Sequence, residues 1–251
     1  MHPTLLILGG TTEATALAAR LAGTGIRATL SLAGRVENPR AQPIPMRVGG
    51  FGGVAGLIAY LRAEGVTHVI DATHPFAAQM SRNAASACAA LGLPLVALTR
   101  PAWTPQPGDD WRHVADIAGA VGALAGPARR VFLAVGRMHL QAFAAQPQHR
   151  YLLRLVDRPN APLPLPQAEV IVSRGPFTEA DDRALMEGHG TELVVSKNAG
   201  GTGARAKIDA ARALGLPVLM IDRPALPARR ELARPDEVLG WLAHSGADLG
   251  V

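Results

Sequence analysis

The chain has 251 residues, 18% of them charged, and a formal net charge of +5. That length carries a sizeable core, in one large domain or two small ones, and the composition is that of an ordinary globular chain rather than a disordered one. No apolar run is long enough to span a bilayer. The early apolar stretch Leu5-Leu6-Ile7-Leu8 runs into a glycine turn, not a small-residue cleavage site, so neither a membrane partner nor a signal peptide is expected.

The single cysteine, Cys88, lies in an alanine-rich helical stretch and reads as a small core residue. A reducing, cytoplasmic setting fits. The basic residues are 23 arginines and 2 lysines. They are scattered, no basic run exceeds two, and aromatics are only 4%, so a stacking platform or basic arm for nucleic acid is not expected.

Strand and helix patterns alternate from the start. Residues 4–8 read as a buried strand, 12–23 as a helix, 27–32 as a strand, and 46–48 as a short strand before Gly49-Gly50. A helix follows over 54–64, a strand over 66–70, a helix over 76–91 and a strand over 94–98. The cluster Pro101, Pro105, Pro107 and Gly108 marks a linker. Beyond it, strands are expected near 111–114, 130–135, 150–156, 169–173, 192–196 and 217–222. Helices are expected near 115–125, 137–145, 178–188, 203–214 and 235–243, and the four prolines of 159–166 make a loop. Repeated βα units imply parallel sheets covered on both faces. The fold class is therefore α/β, with two Rossmann-like lobes, residues 1–100 and 101–251. No short internal repeat is visible. The expected ligand site is the interlobe cleft, outside the carboxyl ends of the strands.

Four motifs stand at such strand ends. In Gly9-Gly10-Thr11-Thr12-Glu13-Ala14, glycines let a backbone approach a pyrophosphate, and Thr11 and Thr12 can cap the helix and donate to phosphate oxygens. The third glycine of the usual dinucleotide fingerprint is missing. After the second strand, Arg35 stands where NAD sites usually place an acid to hold the ribose 2′-hydroxyl. No acid comes before Glu37, which favours NADPH. In Asp71-Ala72-Thr73-His74-Pro75-Phe76-Ala77, Asp71 can cap or orient, and Thr73 and His74 can bind cofactor or substrate. Ser196-Lys197-Asn198-Ala199-Gly200-Gly201-Thr202-Gly203 forms a second anion cradle. It contains Lys197; the other lysine, Lys207, falls inside the next helix. No histidine or cysteine spacing suggests a metal.

Taken in order, GGTTEA, DATHPFA, RPAW, GPFT, SKNAGG and IDRP resemble the signature series of the precorrin-6A reductase family, over roughly residues 4–225. The resemblance implies a two-lobed enzyme of cobalamin (vitamin B12) biosynthesis, with residues 1–100 as the NADPH-binding lobe and 101–251 as the substrate-binding side. It would use NADPH to reduce one double bond of the precorrin-6A macrocycle, giving precorrin-6B; relatives in the anaerobic route act on the cobalt complex. Hydride transfer needs the nicotinamide about 3–3.5 Å from the acceptor carbon, and a proton must reach the adjacent carbon. His74, Lys197 or water can supply it. The substrate is a polycarboxylate, so Arg137, Arg174, Arg223 and Lys197 are sensible anchors, with Ser196, Asn198, Gly200 and Gly201 lining the cradle. A monomer is expected, with transient contact to neighbouring pathway enzymes.

Three rivals can be separated. A short-chain dehydrogenase needs Tyr-x-x-x-Lys, but Tyr60 and Tyr151 are followed four residues later by Glu64 and Leu155. A non-catalytic NADPH sensor would bind cofactor without turning over a tetrapyrrole. A nucleic-acid module would show steeply salt-dependent DNA affinity.

Overall fold

A computed structural model describes residues 3–34, 40–173 and 175–244. Arg35, Glu37 and Arg174 lie outside the described residues. The chain forms two compact units. Unit 1 is Met1–Pro101 with Ala225–Val251, and unit 2 is Ala102–Pro224.

Unit 1 opens with β1 (Thr4–Leu8), α1 (Thr12–Leu21), β2 (Arg27–Leu32), β3 (Met46–Val48) and α2 (Gly53–Ala63). It continues with β4 (His68–Asp71), α3 (Ala78–Leu91) and β5 (Leu95–Leu98). Unit 2 holds β6 (Trp111–Val114), α4 (Ile117–Ala123), β7 (Arg130–Ala134), a 3-10 turn (Arg137–His139), α5 (Leu140–Phe143) and β8 (Arg150–Leu155). Then come β9 (Ala168–Val172), α6 (Glu179–His189), β10 (Leu193–Lys197), α7 (Ala206–Ala213) and β11 (Val218–Ile221). The chain then returns to unit 1 for β12 (Arg230–Leu232) and α8 (Pro235–His244).

Each unit has one six-stranded sheet, and every pairing in both is parallel. The orders are β12-β5-β4-β1-β2-β3 and β6-β11-β10-β7-β8-β9. Central strands β4 and β11 are buried along their whole length, β11 as a continuous apolar run and β4 with His68 and Asp71 at its ends, while edge strands β3 and β6 are partly exposed. In unit 1, side chains alternate faces along β1. Leu5 and Ile7 pack with Leu17 and Leu21 of α1 and Val238 and Leu242 of α8. Leu6 and Leu8 pack with Leu57 and Leu61 of α2 and Ala84 and Ala87 of α3. In unit 2, Phe132, Leu152, Val194 and Met220 meet Met186 of α6 and Ile208 of α7.

Residues 225–251, which the sequence reading placed in one lobe with 101–224, belong instead to unit 1. The strand that carries them back, β12, has three residues, Arg230-Glu231-Leu232, with no apolar run to betray it. It pairs with β5 at Arg230–Val96 and Leu232–Leu98. Two other differences are local. The helix expected over 137–145 is a 3-10 turn and one helical turn, and α7 begins at Ala206 rather than 203.

The sheet orders also expose an internal repeat. Each half of the chain builds five strands in one sheet and then gives its sixth strand and the following helix to the other sheet. The sequence carries a matching echo: ALGLPLVALTRPAW at 90–103 and ALGLPVLMIDRPAL at 213–226. In both copies the glycine ends a helix at positive φ, 65° at Gly92 and 63° at Gly215. The next leucine then donates its N–H five residues back, Leu93 to Cys88 and Leu216 to Ala211. The repeat escapes a short-window search because its halves are over a hundred residues apart and little else in them is alike.

Because α8 completes the unit 1 core, Leu242→Ala should destabilise that unit although Leu242 follows all of unit 2. Leu242 is fully buried, so a loss of about 2–5 kcal/mol is expected in urea unfolding. A variant within 0.5 kcal/mol of wild type would show that α8 is not part of that core.

Candidate functional site

In unit 1 the strand order reverses between β1 and β4, and their carboxyl ends frame the usual binding point of such sheets. The two loops are tied directly. Thr11 N-caps α1, its hydroxyl accepting from the Ala14 N–H at 3.2 Å and donating to the Ala72 carbonyl at 2.8 Å. That proton is therefore spent within the fold rather than on a phosphate. The Thr12 hydroxyl likewise donates to Glu13 Oε2 at 3.2 Å. What remains for an anion is backbone at the start of this ten-residue helix: the Ala14 N–H goes to Thr11 Oγ and the Glu13 N–H to its own carboxylate, which leaves the Thr12 N–H and the positive end of the helix dipole.

The two glycines before α1 differ in purpose. A Cβ at Gly9 would stand 2.6 Å from Leu30 Cδ1, so Gly9 is there for packing against β2. Gly10 has φ +115°, and a Cβ there would have no heavy atom within 4 Å. The space above Gly10 is open. Glu13 closes one side. Arg100, at the end of β5, donates to its Oε2 at 2.7 Å. Burial alone would raise the Glu13 pKa, but its own backbone N–H and Arg100 hold it below the usual carboxylate range.

The β4 end is equally knit. Asp71 Oδ1 accepts from the Thr73 N–H at 3.1 Å and the Thr73 hydroxyl at 2.7 Å. Its Oδ2 meets the Arg229 guanidinium, both side chains being nearly buried. Arg229 is the residue just before β12, so the returning segment holds this loop. Next along the chain, His74 Nδ1 accepts the Phe76 N–H at 3.2 Å. This puts the proton of a neutral ring on Nε2. Cys88 lies in the core behind, its thiol pushed up to about 11 by burial and by Asp71, and is no nucleophile.

In unit 2 the expected anchors do different work. The Asn198 side chain clamps the Trp103 backbone, accepting from its N–H at 2.8 Å and donating to its carbonyl at 2.9 Å. The Trp103 indole donates to the Gly201 carbonyl at 2.6 Å. Arg223 donates to the Asn198 and Ala199 carbonyls, each at 3.1 Å. The buried Ser196 hydroxyl donates to the Lys197 carbonyl at 3.1 Å. Lys207 is buried, donates to the Ala204 carbonyl at 2.6 Å and lies 4.9 Å from the Trp103 ring. Ser196, Asn198 and Arg223 therefore buttress the loop rather than project from it. Lys197 ends β10, half-buried. Gly200 and Gly201 take positive φ in succession. Arg137 stands exposed after β7, on a helical segment too short to form an anion cradle of its own.

Sequence reasoning missed Arg229 and Arg47. The first is separated from Asp71 by the whole of unit 2. Arg47, on β3, donates to Ser31 Oγ at 2.7 Å, to the Gly49 carbonyl at 3.0 Å and to the Gly50 carbonyl at 3.1 Å. Its guanidinium lies 3.9 Å from the centre of the Phe51 ring. The glycine-rich run 49–53 around Phe51 was the available signal. A groove of about 390 Å³, lined by Arg130, Arg150, Glu169 and His189 among others, lies at the amino-terminal edge of the unit 2 sheet, away from these loops. Among the described residues, no helix is long and apolar enough to cross a membrane, and no His, Cys, Asp and Glu cluster is placed to hold a metal.

Comparisons with known proteins agree on one family. The family described as precorrin-6x reductase CbiJ/CobK matches residues 4–243. Precorrin-6A reductase of Rhodobacter capsulatus is 60% identical over 243 residues, covering 97% of both chains. Cobalt-precorrin-6A reductase of Priestia megaterium is 30% identical, covering 96% of this chain and 98% of that one. A solved structure of CobK precorrin-6A reductase superimposes with a TM-score of 0.94 at 59% identity, over 99% of this chain and 100% of that one.

The buried Arg229–Asp71 pair generates a stability prediction. Arg229→Met would leave Asp71 buried without its counter-ion, at a cost of about 3–5 kcal/mol. Adding Asp71→Asn should restore part of that loss in denaturant melts. A double variant no more stable than Arg229→Met would show that the two residues are not coupled.

Proposed function

The chain belongs to the precorrin-6x reductase family, and from that premise we propose that it reduces metal-free precorrin-6A with NADPH. Identities support the metal-free substrate: 60%, 49% and 46% to three precorrin-6A reductases, against 30% and 28% to two cobalt-precorrin-6A reductases. The observation that carries the dinucleotide reading is the open Gly10 turn at the switch point, with the β1 and β4 loops joined by the Thr11–Ala72 hydrogen bond. The Thr12 N–H and the positive end of the α1 dipole suit a pyrophosphate in charge and direction. Unit 1 is thus the nucleotide lobe and unit 2 the substrate lobe.

The bound dinucleotide supplies hydride. The chain's own residues bind, orient and protonate. Asp71 and Thr73 shape the turn that presents His74, whose neutral ring carries its proton on Nε2. Arg137, Arg174 and Lys197 meet substrate carboxylates, and Gly200 and Gly201 offer backbone N–H groups. Arg223, Ser196 and Asn198 serve the same face indirectly, by holding the β10 loop in shape. Lys197 stabilises electron density moving into the macrocycle or delivers the proton, with His74 and water as the other proton sources.

Anaerobic incubation with NADPH and precorrin-6A should change the macrocycle's absorption and add two hydrogens to its mass. NADPH binding without turnover would instead mark a sensor. In the same assay, Lys197→Ala should lower kcat by about 10²–10⁴-fold if the ammonium acts as general acid. Lys197→Arg should rescue poorly, because guanidinium is a far weaker acid. A raised KM with kcat kept would reduce Lys197 to a carboxylate anchor. Arg35→Ala should raise the NADPH KM with little effect on NADH, and an unchanged preference for NADPH would show that Arg35 does not read the phosphate.

A further inference from the structure

The internal repeat allows the two units to be compared position by position. Pairing register sets the correspondence. Leu6 pairs with Val69 and Val69 with Leu95 in unit 1; Phe132 pairs with Val194 and Val194 with Val218 in unit 2. Counting outward, Gly10 corresponds to Gly136, and both have positive φ. Ser31, near the end of β2, corresponds to Arg154, near the end of β8. Phe51 stands two residues before α2, and Phe177 two residues before α6.

At this corresponding place each unit stacks a guanidinium on its phenylalanine. Arg47 lies 3.9 Å from the Phe51 centroid and Arg154 lies 3.7 Å from that of Phe177. Arg47 comes from the neighbouring strand, at the register position directly opposite Ser31. The charge balance differs. Arg154 is paired with Asp182, a fully buried carboxylate, so the unit 2 platform is neutral. Arg47 forms no ion pair with any described residue; its partners are a hydroxyl and two carbonyls. Those three bonds leave the Nε–H and one Nη2–H unspent. Ser31 is 5% exposed, and its hydroxyl accepts from Arg47 while its own proton has no acceptor among the described residues. A buried hydroxyl proton without an acceptor and a rigidly held guanidinium without a counter-ion, both among the described residues, call for an anion.

This position is the tip of the second strand, beside the Gly10 turn, where a sheet of this order receives the adenosine ribose. We propose that Arg47, with Ser31, is a reader of the 2′-phosphate of the dinucleotide in addition to Arg35, and that it carries a separate share of the preference for NADPH over NADH. The inference rests on unit 1 being the nucleotide lobe. Phe51 and the Gly49 and Gly50 carbonyls hold the fork in place, so little side-chain freedom is lost on binding. The corresponding site in unit 2 has its arginine neutralised by Asp182 and would not attract a phosphate.

The test is calorimetric titration of NADPH and NADH into the wild type, Arg47→Gln and Arg47→Lys, with thermal melts to confirm that each variant folds. Wild type should prefer NADPH. Arg47→Gln should weaken NADPH by about ten- to hundredfold, the loss expected for hydrogen bonds to a charged group, and leave NADH nearly unchanged. Arg47→Lys should recover part of the preference, since the charge returns without the fork. A folded Arg47→Gln variant that keeps the wild-type ratio of NADPH to NADH affinities overturns the inference and leaves the nucleotide lobe standing. Equal loss of both dinucleotides also overturns it, because Arg47 would then only support the glycine loop. A wild type that binds neither, or both alike, removes the NADPH reading itself.

Discussion

Parallel pairing is the constraint on which the rest depends. Strands that all run one way deliver every carboxyl end of a sheet to the same edge, and the backbone groups there are not consumed by the ladder. In unit 1 this gathers the Gly10 turn, the Asp71 loop, the end of β5 and the tips of β2 and β3. Helices on both faces are a consequence of the same choice, because each parallel connection must cross over. The single bond from the Thr11 hydroxyl to the Ala72 carbonyl then locks two of those ends at the point where the strand order reverses.

Exchange of the sixth strand adds a second layer of control. Each unit is completed by a segment that the other half of the chain supplies. In unit 1 that segment brings Arg229 to Asp71, and Arg82 of α3 donates to the Ala225 carbonyl at 2.9 Å where the segment begins. In unit 2 it brings Trp103 to Asn198 and Gly201. Both candidate loops are thus held by residues that arrive from far away in sequence. The halves differ at corresponding places. Unit 1 has a full helix after Gly10 and an Arg47 with no ion pair among the described residues; unit 2 has a broken helix after Gly136 and a neutralised Arg154.

Many residues that look functional as motifs are buttresses in the structure. The asparagine of SKNAGG and the tryptophan of RPAW satisfy each other, and the arginine of IDRP caps the carbonyls between them. The phenylalanine of GPFT carries Arg154. Lys207 has a structural explanation in the Ala204 carbonyl and the Trp103 ring. Such a loop presents backbone N–H groups in a fixed shape, and fixing that shape is how a buried side chain affects a ligand it never touches.

Apolar period, glycine turns and caps are local, so the sequence alone determined the α/β class, eleven of the twelve described strands and the strand-end motifs. The Thr11 cap was legible because the residue and the helix it caps are adjacent. The ordered motifs also carried the resemblance to the family, because their order survives whatever the loops do. The path of the chain was decided only in three dimensions. A three-residue strand of Arg230-Glu231-Leu232 has no periodicity to read, and only pairing with β5 makes it a strand. The internal repeat, the Arg229–Asp71 pair and the contrast between Arg47 and Arg154 are relations between residues distant in sequence. They exist only once tertiary packing sets the register, because burial and charge pairing depend on who the neighbours are, and a linear sequence names neighbours only along the chain.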